Sequence, residues 1–380
     1  MLRPPALIPN VRENRELSRK TPAQSAIFTA RTVVQYHQLP LKSKSFTMFQ
    51  IPKVAVSVGG AVLEPDMVMA LILGGVDIFR IQQAKFSLEK STEYARMVRE
   101  TASRLKKTVE ILFDYSGARE SIGILEKPLT ILPGDTLRFV QAPKGSGKDN
   151  IPLSIPHEDW AKLKADERIY IADGAVQARI RNLGPDSLSA VAEVVSAPIK
   201  TDDDINFPDS EIHVNPISDR EMNDFPRLAE LKLVDWISIS FIEDRAAVMT
   251  AKQLVGPTIK VMAKIETERG VKDISKIVDA ADGIMVARGD LAIQAPMERL
   301  GIYEREVIKA AKLADKPVML ATQFLESMVT NPIPLRAELS DVATAALLGV
   351  DSILLTKEIA IGAYPLRALG IAKGTLAYTI

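Results

Sequence analysis

Three segments between Lys264 and Gln323 share one design, and that design restricts the fold more than any other feature of the chain. VMAKIETERG, ADGIMVARGDL and PVMLATQFLESM each carry a short run of β-branched and apolar residues. Each run gives way to residues a core would not accept: Lys264 and Glu266, then Arg288, Gly289 and Asp290, then Thr322 and Gln323. Apolar runs of this length alternating with helical patterns predict a parallel sheet. Polar residues at the carboxyl ends of such strands are where a (β/α)₈ barrel keeps its chemistry.

The same alternation can be followed along the chain. Strands are predicted at Val54–Val58, Val76–Arg80, Val109–Asp114, Trp236–Phe241, Ile259–Lys264, Gly283–Ala287, Val318–Thr322 and Ser352–Thr356. Between the third and fourth, residues 121–214 hold short β-rich runs with Gly and Pro turns, such as LPGDTLRFV and ERIYIADGAVQARI. That is the pattern of a small all-β module set into a loop. The predicted fold is an α/β protein, a (β/α)₈ TIM barrel over 48–120 and 215–380 with a small all-β domain inserted after strand three.

Residues 1–47 stand apart, with eight Lys/Arg against the two acids Glu13 and Glu16. This N-terminal extension reads as an arm or as an organelle transit peptide, and a start at Met48 also fits. A cytoplasmic protein is expected, or an organelle one if the extension is a transit peptide. Lys+Arg and Asp+Glu both number 48, so no global field recruits nucleic acid or an acidic membrane. No apolar run reaches about 18 residues, so no membrane span is expected. The absence of cysteine excludes a disulfide framework, a thiolate metal site and a cysteine nucleophile.

Glu266 and Asp290 are expected at the ends of neighbouring strands, facing one mouth. Two carboxylates with open positions suit Mg²⁺ or Mn²⁺, which keep waters and take further oxygens from substrate. Lys264 precedes Glu266 by two residues and points to the same side of its strand. An ammonium beside a metal makes a pocket suited to an oxyanion or phosphoryl group. Gly289 allows close backbone approach, and the N–H groups that follow favour a carboxylate. Thr322 offers a hydroxyl for proton relay. Salt bridges capping the barrel are the plainer alternative. PKGSGKDN at 143–150 is read as an exposed turn: Ala142 and Asp149 stand where a phosphate loop needs Gly and Ser/Thr.

VMAKIETERGV, DGIMVARGDL, KPVMLATQFLESM and PLRAELSDVATAALLGVDSILL resemble pyruvate kinase, over about residues 52–370. The resemblance implies a barrel interrupted after its third strand by a mobile β lid. It implies phosphoryl transfer between phosphoenolpyruvate and ADP, with a divalent metal on Glu266 and Asp290. Lys264 would stabilise charge on the phosphoryl group and the enolate, Arg80 would grip phosphate, and Thr322 would serve the protonation of the enolate carbon. The backbone at Ala287, Arg288, Gly289 and Asp290 would hold the substrate carboxylate, and Asp173 of the lid would close over the site.

Departures from the family pattern carry expectations of their own. Its monovalent-cation segments read Gln82, Gln83, Ala84 and Asp114, Tyr115 here, so Asp114 is a remnant. Arg119 stands where family members that need no potassium carry Lys, so K⁺ is not expected to be required. On the nucleotide side the family's cations fall at Lys85, Ser121, Asp202, Asp203 and Ile361, with Lys357 and Arg119 available to compensate. Aspartates beside a polyphosphate repel it. The resemblance leaves out the family's C-terminal effector domain, and the barrel's own interface would support a homo-oligomer. Three readings follow: a short pyruvate kinase, a barrel enzyme acting on phosphoenolpyruvate or a pyruvate-like substrate without ADP/ATP, and a non-catalytic paralogue.

Overall fold

Eight parallel strands close on themselves in the computed structural model, which describes residues 50–379 apart from 118, 119, 154, 211, 213 and 214. The extension 1–47 and Arg119 therefore lie outside the described residues. The barrel strands are β1 (Lys53–Val58), β2 (Ile78–Gln82), β3 (Glu110–Tyr115), β4 (Trp236–Ile239), β5 (Lys260–Ile265), β6 (Gly283–Ala287), β7 (Val318–Ala321) and β8 (Ser352–Leu355). They pair in chain order, and β8 returns to β1. Most strand ends differ from the sequence reading by one or two residues, and two of these shifts have a visible cause. Val76 donates to the Leu71 carbonyl (3.1 Å) and closes the preceding helix, so β2 starts at Ile78. Phe241 is left-handed (φ 55°), so β4 cannot run to it.

The period of two along a strand divides the barrel interior into layers. Ala55, Ile78, Leu112, Trp236, Met262, Met285, Met319 and Leu354 form one buried apolar cluster inside the barrel. Two residues further along each strand stand Ser57, Arg80, Asp114, Ser238, Lys264, Ala287, Ala321 and Thr356. The apolar layer closes the barrel and the next layer carries the polar groups. Below, Trp236 donates its indole N–H to Glu110 (2.6 Å), Lys53 pairs with Glu110, and Lys260 lies 4.9 Å from the indole centroid. Outward-facing Val and Ile of the strands pack under the surrounding helices in the main core.

Between β3 and β4 the chain builds a six-stranded sheet, in the order Ile205–Asn206, Arg168–Ile171, Val176–Leu183, Ser187–Val195, Thr136–Gln141, Ile151–Leu153. Its own core includes Phe139, Ile169, Ile180 and Ala190. The 143–150 segment is a turn within this region, where Gly147 bridges Asn150 and Lys148 pairs with Asp135. Among the described residues no helix is long and apolar enough to cross a membrane.

One helix is poorly started. Leu335, exposed, occupies the N-cap of the helix Arg336–Leu347 and has no oxygen to offer its first turn. Glu338 still accepts from the Leu335 N–H (2.9 Å). Leu335→Thr supplies the missing acceptor and is expected to stabilise the protein by about 1 kcal/mol. An unchanged or lower urea midpoint would contradict this account of the helix start.

Candidate active site

The polar layer opens into a cavity of about 390 Å³. Arg80, Lys264, Ala287, Gly289, Asp290 and Thr322 line it from the barrel, and Asp173 lines it from the inserted sheet. Asp173 sits in the turn 172–175 between two sheet strands, where Ala172 and Asp173 (both φ 54°) and Gly174 (φ 78°) are left-handed. A bond from Gln294 to Asn206 ties this sheet to the barrel rim. Seven residues singled out from sequence thus reach one cavity.

Asp114 is the hub beneath it. Arg80 donates to one carboxylate oxygen through Nε (2.7 Å) and again through Nη2, while its Nη1 reaches Ser57 Oγ (2.8 Å). Ser238 donates to the other oxygen (2.6 Å), which also lies 3.3 Å from Lys264 Nζ. Burial works to raise the Asp114 carboxyl pKa, but the charges of Arg80 and Lys264 and the Ser238 hydrogen bond outweigh it and hold it far below the usual range. The oxygens of Asp114, read from sequence as the remnant of a monovalent-cation site, are taken by side chains of the protein.

Lys264 has as many acceptors as it has protons. Its ammonium donates to Ser240 Oγ (2.6 Å) and lies 3.0 Å from Glu266 and 3.3 Å from Asp114. Burial lowers its pKa, but Asp114, Glu266 and Asp290 together raise it above the ordinary lysine value, so it is a permanent cation. Three carboxylates here face two cations, leaving one negative charge in excess.

One expectation needs correction. Glu266 is wholly buried and does not line the cavity; only Asp290 of the acid pair does. The left-handed Phe241 turns its N–H onto one Glu266 oxygen (2.7 Å) and Lys264 takes the other, which draws the carboxylate back. Arg288, expected to serve through its backbone, turns its side chain away from the cavity. It donates to Asp341 (2.7 Å) and to the Thr322 carbonyl (2.5 Å), and packs 4.3 Å from the centroid of Phe324. What Arg288 can offer a ligand is backbone alone.

On the nucleotide side, Lys85, Lys357 and Ile361 line the same cavity, with Lys357 paired to Glu326 (3.2 Å). Gly59 lets this rim close, since a Cβ there would sit 2.9 Å from the Ala360 Cβ. Asp202 and Asp203 do not line the cavity. They lie in a turn in which the Asp203 carboxylate accepts from the Lys200 N–H (2.6 Å). Sequence reasoning missed Ser57, Ser238 and Ser240, although one or two hydroxyls in runs as apolar as VAVSV and WISIS were a usable signal.

Fold and site together define a barrel enzyme whose strand ends hold two fixed cations against buried carboxylates. The family model for the pyruvate kinase barrel domain matches residues 50–369. A pyruvate kinase of Agrobacterium vitis is 35% identical over 322 residues, 84% of this chain and 67% of that protein. One of Thermotoga maritima is 32% identical over 323 residues, 84% of this chain and 69% of that protein. The crystal structure of a pyruvate kinase from Cryptosporidium parvum superposes with a TM-score of 0.80 at 29% identity, covering 87% of this chain and 69% of that one. The chain belongs to the pyruvate kinase family. It spans about two thirds of the length of these relatives.

Proposed function

We propose that this protein transfers a phosphoryl group between phosphoenolpyruvate and ADP, yielding pyruvate and ATP. The observation that carries the reading is the pair of cations, Lys264 and Arg80, both anchored on buried Asp114 and both lining the cavity that Asp290 and Thr322 share. Phosphoryl transfer asks a protein mainly for positioning and for fixed charge where charge develops. Arg80 presents its guanidinium to the phosphoryl oxygens. Lys264 presents an ammonium whose geometry is set before substrate arrives, so little reorganisation accompanies the reaction. Backbone at Ala287–Asp290 receives the carboxylate. Thr322 Oγ accepts from the Gly289 N–H (3.0 Å), which leaves its own proton to be donated towards the enolate carbon.

The site fits a divalent ion, Mg²⁺ or Mn²⁺, which Asp290 would hold on the cavity side, with water and substrate oxygens completing its shell and the buried Glu266 adding negative charge behind it. The excess negative charge favours a cation. When bound, such an ion offsets the negative charge of the phosphoryl oxygens. Independence of potassium belongs to the same proposal, supported by Arg80, Ser238 and Lys264 already filling the Asp114 oxygens. Neither the nucleotide-free nor the non-catalytic alternative has a specific observation in its favour.

A lactate dehydrogenase-coupled assay tests this. Pyruvate is expected from phosphoenolpyruvate only with ADP and a divalent ion present, and equally well when tetramethylammonium replaces potassium. Pyruvate released without ADP, or none under any condition, overturns the proposal; a strict need for potassium removes only its last part.

A further inference from the structure

Thr322 holds a backbone that a β-branched residue rarely adopts, with φ 76°, and Gln323 after it is left-handed as well (φ 56°). A conformation of this kind persists only where its surroundings over-determine it. Here the dipeptide Arg288–Gly289 grips Thr322 twice. Arg288 Nη2 donates to the Thr322 carbonyl (2.5 Å), and the Gly289 N–H donates to the Thr322 hydroxyl (3.0 Å). Arg288 is itself fixed on three sides. Nη1 donates to Asp341 (2.7 Å), Glu304 lies 3.6 Å away, and the guanidinium packs over the ring of buried Phe324.

We propose that the side chain of Arg288 is a positioning group: it does not touch substrate and acts by holding Thr322 in the left-handed conformation that aims its hydroxyl into the cavity. The inference rests on the role proposed above for Thr322. The chemistry requires arginine, because one side chain must donate in two directions in a plane while lying flat on an aromatic ring. A lysine ammonium keeps the charge but cannot meet both demands. Released from the clamp, the 322–323 backbone relaxes towards an ordinary region of φ. Both the carbonyl and the hydroxyl then rotate away. Misplacement of about 1 Å at a reacting centre can cost about 100-fold in rate.

The test uses the full chain carrying Arg288→Lys and, separately, Asp341→Asn. Asp341 lies outside the cavity and pairs with Arg288. Arg288→Lys is expected to lower kcat for pyruvate formation by about 10–100-fold while changing KM for phosphoenolpyruvate by less than about 3-fold. It is also expected to slow solvent-deuterium exchange into the methyl group of pyruvate. Asp341→Asn moves both readouts the same way by a smaller factor. In both variants the Gly289 amide is expected to exchange with solvent faster, a readout that needs no turnover. A rise in KM with kcat retained would make Arg288 a binding residue, and a fall in Tm with kcat retained would make it purely structural; either overturns the proposal. Should wild type lack activity, the function proposed above fails, and unchanged Gly289 exchange in the variants would separately overturn the clamp. If Arg288→Lys does not fold, Asp341→Asn decides by the same readouts.

Discussion

Lys264→Met is expected to lower pyruvate formation by about 10³-fold or more, since losing even one neutral oxyanion donor costs about 10²–10³-fold and here a full charge is lost. The change also strips a buried network of its central cation. Lys264 meets Ser240, Glu266 and Asp114 at 2.6, 3.0 and 3.3 Å. Removing one member of a buried ion-pair set leaves the others uncompensated, at a cost of about 3–5 kcal/mol. The variant should therefore unfold at lower urea and recover part of the difference when Mn²⁺ is added, because the group has gained excess negative charge. Turnover within tenfold of wild type would remove Lys264 from the chemistry. Unchanged stability would contradict the network described around it.

Asp114→Ala should be at least as damaging to the fold. It removes the acceptor for two Arg80 donors and the Ser238 hydroxyl, and the nearest charge but one to Lys264, leaving two cations crowded in a nearly solvent-free layer. A loss of about 3–5 kcal/mol is expected, with activity falling because both cations lose their anchor. Asp114→Asn keeps one acceptor oxygen and is expected to be milder. The pH dependence has a definite sign. The folded carboxyl is held below its ordinary value, so its stabilising contribution is present above about pH 4 and declines as pH falls below that. The Asn variant should lack this share of acid sensitivity. Urea titrations at pH 7 and at about pH 2.5, inside the window where the contribution declines, decide it, and equal stability of Asp114→Ala and wild type at pH 7 would refute the hub. Added potassium should rescue neither variant.

Much of this site can be read in the strands taken one at a time. Lys264, Arg80 and Asp114 each stand two places beyond an apolar residue in a strand, so the period of two alone sends them to the face occupied by Met262, Ile78 and Leu112. Asp290, Gly289 and Thr322 follow directly on apolar runs, where a parallel barrel turns outward. What is level with what across the barrel is another matter. The sequence does not say that Ser238 lies opposite Asp114, a pairing that comes from the register of β4 on β3.

Local pattern, then, determined the barrel, its polar rim and most of the cavity wall, because strand periodicity and polarity act within a few residues of each other. Tertiary structure decided the partners. Glu266 withdrew because Phe241, left-handed on a neighbouring strand end, offered it an N–H. Arg288 turned away because Asp341, Glu304 and Phe324 outbid the cavity for its guanidinium. Asp114 became an anchor because three donors from three other strands converge on it. The physical reason is the same each time: a buried charge settles where its hydrogen bonds are most fully met, and those partners are brought within reach only when distant stretches of chain close the barrel.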